Sequence, residues 1–227
     1  MKKVIKLSIA TMTVCGSVYA LAAAPTVTAE DVVDKIELPW DMAFMKDGTM
    51  FFTEKCKGLS VRLPNGTINK LHGMDGTTGY NTASADLFCD GQAGMMGVAI
   101  DPEFDKNRFI FVYSSSKLND KQVNRVMRFK INEAMSAVSE RTDIVADIGY
   151  KAKASKHPFG GPGSHNGGRI RFSPADGYLY VTTGDNHRGI APQSPTYIGG
   201  KILRIDRDGN AAADNKPPAG FDPRIFT

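Results

Sequence analysis

The sequence predicts an all-β protein of the β-propeller type. Beyond the first two dozen residues, no stretch carries apolar residues at the i, i+3, i+4, i+7 spacing of a helix. Short runs rich in β-branched and aromatic residues alternate with Gly and Pro instead. One order of elements also recurs three times: a strand, a turn, a second strand ending in hydroxyl residues, a loop, and a strand in which basic and apolar residues alternate. Small antiparallel sheets repeated every ~40 to 50 residues are the signature of propeller blades. A β-sandwich also gives short strands and turns, but does not predict the same order recurring with basic residues in the last strand.

The first residues read as an export leader. Lys2, Lys3 and Lys6 precede an apolar run from Leu7, and Ala20-Leu21-Ala22 offers the small-x-small pattern of signal cleavage, so residues 1–22 are expected to be removed near Ala22. An uncleaved anchor is the alternative, but Ser8, Thr11, Thr13, Gly16 and Ser17 dilute a run that needs ~20 apolar residues to span a bilayer. Val14 before Cys15 argues against lipid attachment. The leader holds three lysines and no acid, so its loss takes the net charge from +4 to +1. Nucleic-acid binding then has no electrostatic support, and no later segment reads as membrane-spanning, so a periplasmic protein free of both partners is expected. Cys56 and Cys89 remain. In an oxidising compartment they are expected to pair, stabilising the fold by about 3 to 4 kcal/mol through loop closure, with two separately buried thiols as the alternative.

The first copy of the repeat runs Met42-Ala43-Phe44, the turn Lys46-Asp47-Gly48, Met50 to Glu54, and Leu59-Ser60-Val61-Arg62-Leu63. Asp-Gly between apolar runs is a strong hairpin signal. The second pairs Gly97-Val98-Ala99-Ile100 with Phe109 to Tyr113 across an Asp101-Pro102 loop, then Arg125-Val126-Met127-Arg128-Phe129. The third is Arg169-Ile170-Arg171-Phe172, the turn Asp176-Gly177, Tyr178 to Thr183, and Lys201-Ile202-Leu203-Arg204-Ile205. Phe221 to Thr227 begin what reads as a further element. Three blades and part of a fourth leave sheet edges open, so residues 23–227 are expected to be the N-terminal part of one longer propeller domain.

Loops at one end of a propeller converge on its axis, so distant residues can meet there. The glycine-rich stretch Phe159 to Gly168 delivers His165 to the mouth of a strand, and Asp185 follows the partner strand, on the same rim by hairpin geometry. A carboxylate that orients an imidazole and stabilises its protonated form makes a general base, here suited to a hydroxyl proton. The plainer alternative is a strand cap at His165 and a turn-stabilising Asp185.

The blocks His165-Asn166-Gly167-Gly168-Arg169-Ile170, Gly177 to Asp185 and Gly200 to Ile205 together resemble the quinoprotein glucose/sorbosone dehydrogenase family, including its aldose sugar dehydrogenases. Trp40 to Phe44 with Thr53-Glu54, and Gly91 to Phe104, resemble further blocks of that family in the same order. The resemblance implies a six-bladed propeller binding pyrroloquinoline quinone near calcium, a sugar substrate oxidised at its anomeric carbon to a lactone, and an external electron acceptor. It implies that His165 is the base, that Asp185 lies beside it, and that Gln92 contacts cofactor and substrate. Ser164, Asn186 and Arg188 are expected on the cofactor- and substrate-binding side. The family's cofactor-gripping arginines and main calcium ligands are expected beyond Thr227, with no metal ligands within this chain. Where characterised glucose dehydrogenases of the family carry an aspartate just before the base, Ser164 stands here and removes a charge, so glucose itself is not singled out.

A non-catalytic propeller that binds sugar or protein is the competing reading, because fold alone never specifies activity. A propeller hydrolase would need an axial cluster of acids and histidines, which the sequence does not offer. Asp206-Arg207-Asp208-Gly209-Asn210 reads as a turn rather than a calcium loop, since the downstream glutamate is missing. His72 and His157 lack ligand-spaced partners. Trp40 and the Met95-Met96 pair read as packing residues.

Overall fold

Three sheets, antiparallel except for one short parallel pair, stack face against face, and this arrangement builds the site. A computed structural model of the chain describes residues 24–153 and 159–227, so the expected leader, Cys15 and His157 lie outside the described residues. The chain divides into residues 1–34, of which 24–34 are described and carry no helix or strand, and the unit Lys35–Thr227, which holds every sheet.

The first sheet comprises β1 (Pro39–Phe44), β2 (Met50–Glu54), β3 (Gly58–Arg62), β4 (Ile68–Met74) and the short β5 (Thr82–Ser84), in chain order. The second comprises β6 (Met95–Ile100), β7 (Phe109–Leu118), β8 (Lys121–Ile131) and β9 (Val138–Ile148), and the third β10 (Gly167–Phe172), β11 (Leu179–Thr183) and β12 (Ile202–Ile205). All three recurring patterns are therefore sheets. The sequence reading missed the weakly alternating fourth strands, β4 and β9, and the one-turn helix α1 (Phe104–Asn107). Both Asp-Gly turns form as expected. The Asp47 carboxylate accepts the Thr49 N–H at 2.9 Å, that of Asp176 accepts the Tyr178 N–H at 3.1 Å, and Gly48 and Gly177 take φ of +90° and +73°. Asp206 likewise closes a turn, its carboxylate accepting the N–H groups of Asp208 and Asn210.

Alternation along β7 explains the stacking. Ile110 and Val112 enter one core with Phe51, Leu59, Val61 and Met127, while Phe111 and Tyr113 enter a second with Ile170, Val181 and Leu203. The second sheet is thus buried on both faces, between the first and the third, which is the propeller-like packing that the repeat predicted. Residues buried on both faces read as continuous apolar runs, which is why β2 and β6 show little alternation.

The first strands of the three sheets, β1, β6 and β10, lie side by side. Gly97 on β6 permits this, because a Cβ there would collide with the Gly168 carbonyl on β10. Asp41 ties the three strands together. Its buried carboxylate accepts the Val98 N–H at 3.0 Å, is gripped by Arg171 at 2.6 and 2.8 Å, and pairs with Arg169. A buried carboxylate needs this many donors to offset its lost hydration.

Candidate active site

The site forms where β10 begins and β11 ends. Gly167 pairs with Thr183, so His165, two residues before that pair, and Asp185, two after it, leave the hairpin on the same side. The ladder is irregular between Gly167 and Ile170, a bulge that turns the entering loop, and His165 itself takes φ +53°, in the left-handed region. Its Nδ1 lies 2.8 Å from Asp185 Oδ1. A carboxylate oxygen in that position accepts, so Nδ1 carries the proton and Nε2 keeps its lone pair free.

Burial alone would raise the Asp185 pKa, but hydrogen bonds from the His165 ring and the His187 N–H, with the nearby histidine charges, outweigh it and hold the group below the ordinary carboxylate value. The carboxylate is therefore anionic at neutral pH. The His165 side chain is 52% exposed and Asp185 29%, so the pair faces open space.

Two neighbouring elements fix the loop. Gln92, between β5 and β6, accepts the His165 backbone N–H at 3.3 Å through its side-chain oxygen, and its own N–H donates to Pro162 O at 3.1 Å. Asn186, 2% exposed, donates from Nδ2 to the His165 carbonyl at 3.2 Å and accepts the Tyr197 hydroxyl at 2.6 Å. Beneath them Tyr113 donates to the Asn166 carbonyl at 2.8 Å, and Asn124 to the Asn166 side-chain oxygen at 3.0 Å. A fully buried layer of amides and hydroxyls thus carries the exposed imidazole.

A cleft of about 480 Å³ opens in front of His165, lined by Leu38, Pro39, Trp40, Lys55, Gln92, Met96, Asn166 and Gly167. It lies at the starting ends of β1, β6 and β10, the shared end of the three adjoining strands. Its size is ordinary for a small-molecule site. Trp40 packs against the second core, as expected, and being half-buried it also forms part of this wall, with the Arg169 guanidinium 4.6 Å from the centre of its ring. Lys55 Nζ donates to Gly91 O at 2.6 Å and brings a cation to the cleft. The sequence marked neither as a cleft residue, because a tryptophan after Pro39 and a lysine after a strand look the same in a core or at a turn.

The remaining expected site residues sit differently. Ser164 is fully buried, and its hydroxyl donates to Gly161 O at 2.6 Å within its own turn, so it lines no part of the cleft. Arg188 is exposed, with its guanidinium 5.3 Å from the centre of the Tyr197 ring, and lies outside the cleft lining. His72 is buried with its ring nitrogens 2.8 and 3.0 Å from the hydroxyls of Thr82 and Ser84. Cys56 and Cys89 are joined in a disulfide, as the composition suggested. Among the described residues, no group of three or more His, Cys, Asp or Glu is placed to hold a metal ion.

The family model for glucose/sorbosone dehydrogenase matches residues 36–227. The chain belongs to the glucose/sorbosone dehydrogenase family. Among curated relatives, an aldose sugar dehydrogenase of Escherichia coli (strain K12) is 25% identical over 203 residues, 89% of this chain and 50% of the relative. Quinoprotein glucose dehydrogenase B of Acinetobacter calcoaceticus is 24% identical over 237 residues, 93% of this chain and 46% of the relative. The chain spans about half the length of these relatives. Among solved structures, the PQQ-bound form of an aldose sugar dehydrogenase from Streptomyces coelicolor superposes with a TM-score of 0.67 at 23% identity, covering 83% of this chain and 50% of the other. That likeness establishes a shared fold.

Proposed function

We propose that the full-length protein is a sugar dehydrogenase that oxidises the anomeric carbon of aldoses to lactones, with pyrroloquinoline quinone seated at the cleft. The observation that carries this reading is the His165–Asp185 pair, whose imidazole lines that cleft. Family membership and the quinone named for two relatives support the cofactor.

The lining suits a flat, polyanionic quinone: Trp40, Pro39 and Met96 give apolar surface, and Lys55 gives a positive charge for a carboxylate. Bound there, the quinone supplies hydride-accepting chemistry that no side chain can. The residues of this chain supply the proton step. His165 Nε2 accepts the proton of the anomeric hydroxyl, and Asp185 accepts from Nδ1–H, fixing the ring and stabilising the imidazolium. Gln92 and Asn186 hold the backbone that carries the base. Such positioning lowers the entropic part of the barrier.

Calcium belongs to the proposal through the family resemblance alone, and the proton step needs only the residues named above. Six-bladed closure, an external electron acceptor and a periplasmic location belong to the same proposal, the last resting on the basic, apolar and small-residue order of residues 1–22. The test is reconstitution of the full-length protein with the quinone and calcium, followed by dye reduction across a panel of aldoses. Turnover on at least one aldose is expected. None on any, with quinone demonstrably bound, transfers the protein to the class of non-catalytic binding propellers.

A further inference from the structure

A second histidine lies against the first. The rings of His165 and His187 stack with centroids 3.7 Å apart and planes 21° apart. Three features show that this contact is built into the loop. The His187 backbone N–H donates at 3.0 Å to Asp185 Oδ1, the same oxygen that accepts from the His165 ring. Gly160 packs on the far edge of His187, where a Cβ would collide with its Nε2. His187 also holds φ +58°, next to Asn186 at +52°, in a region that glycine occupies without strain and a histidine does not. Strained backbone of this kind persists where surrounding contacts over-determine it, and it gathers at functional sites.

We propose that His187 is the positioning residue of the His165 imidazole; this rests on the reading of His165 as the proton acceptor. A ring held by one hydrogen bond, Nδ1 to Asp185, can still swing about that bond. Among the described residues, the ring contact that opposes such a swing is the stack on His187. The stack fixes the plane of the ring and so the direction in which Nε2 points, which a half-exposed histidine does not otherwise keep. The stack itself needs a flat ring, which a phenylalanine keeps and an alanine does not.

The experiment uses the full-length protein with histidine-selective isotopic labelling, the His165 ring signals being assigned by their loss in His165→Gln. In wild type, without cofactor, the ring current of His187 shifts these signals upfield. In His187→Ala they are expected to move downfield towards the position of a free histidine, and in His187→Phe to stay upfield. In reconstituted enzyme, kcat is expected to fall about tenfold or more in His187→Ala with KM little changed, and to recover in His187→Phe. His165 signals that do not move in His187→Ala overturn the stack. A His187→Phe variant as impaired as His187→Ala overturns the positioning role. Full turnover in His165→Ala overturns the base assignment instead, while the resonance shifts still decide, on their own, whether the two rings stack.

Discussion

The side-chain oxygen of Gln92 accepts the backbone N–H of His165 at 3.3 Å, so a loop leading into the second sheet steadies the residue that the third sheet presents. That loop is itself tied to the first sheet. Cys89 is bonded to Cys56 just after β2, and the Met95 N–H donates to Lys55 O at 2.8 Å. A Cβ on Gly91 would strike the Pro162 carbonyl, so the loop meets the His165 loop at backbone distance. The cleft therefore depends on three sheets staying in register with one another.

Opening the disulfide tests this dependence. Reduction, or Cys56→Ser, is expected to lower unfolding stability by about 3 to 4 kcal/mol on the chain-entropy account, read as a shift in the denaturant midpoint with and without reductant. An unchanged midpoint contradicts a structural role for the bridge.

Stability should also respond to acid through His72. Burial pushes its pKa down from 6.5 to about 4, with the positive Arg141 adding to the effect and Asp86 opposing it. Because the folded pKa is depressed, the unfolded chain takes up the proton first on acidification. The contribution is full above pH 6.5 and is lost as pH falls to about 4, a total of about 3 kcal/mol. Unfolding midpoints measured across that range should fall less steeply in His72→Gln than in wild type. Equal slopes would contradict the assignment.

Asn186 supports His165 from below, and two substitutions separate its contributions. Asn186→Gly keeps the left-handed backbone but leaves the Tyr197 hydroxyl and the His165 carbonyl short of partners, a cost of about 2 kcal/mol. Asn186→Ala adds backbone strain and should be less stable still. Thermal melts rank the three proteins; a glycine variant as stable as wild type would mean that the buried hydrogen bonds contribute nothing.

Much of this architecture was legible in the chain. The recurring order of strands gave three sheets, and the Asp47-Gly48 and Asp176-Gly177 turns stand where the hairpin signal put them. His165 and Asp185 could be joined from the sequence because hairpin geometry converts sequence position into a shared rim. Other features had no local signal. Trp40 and Lys55 reach the cleft only through the stacking of separate sheets, and Ser164 turns inward because its own loop offers the Gly161 carbonyl. The stack of His187 on His165 depends on left-handed backbone at both residues, which nothing in a histidine announces.

Proton acceptance from the sugar by His165 is the step on which the proposed activity turns. Its most direct test is steady-state dye reduction by full-length His165→Ala, reconstituted with quinone and calcium, beside quinone binding measured separately. Turnover at least ~100-fold below wild type with quinone affinity retained is the expected result. Wild-type turnover in that variant would contradict the assignment.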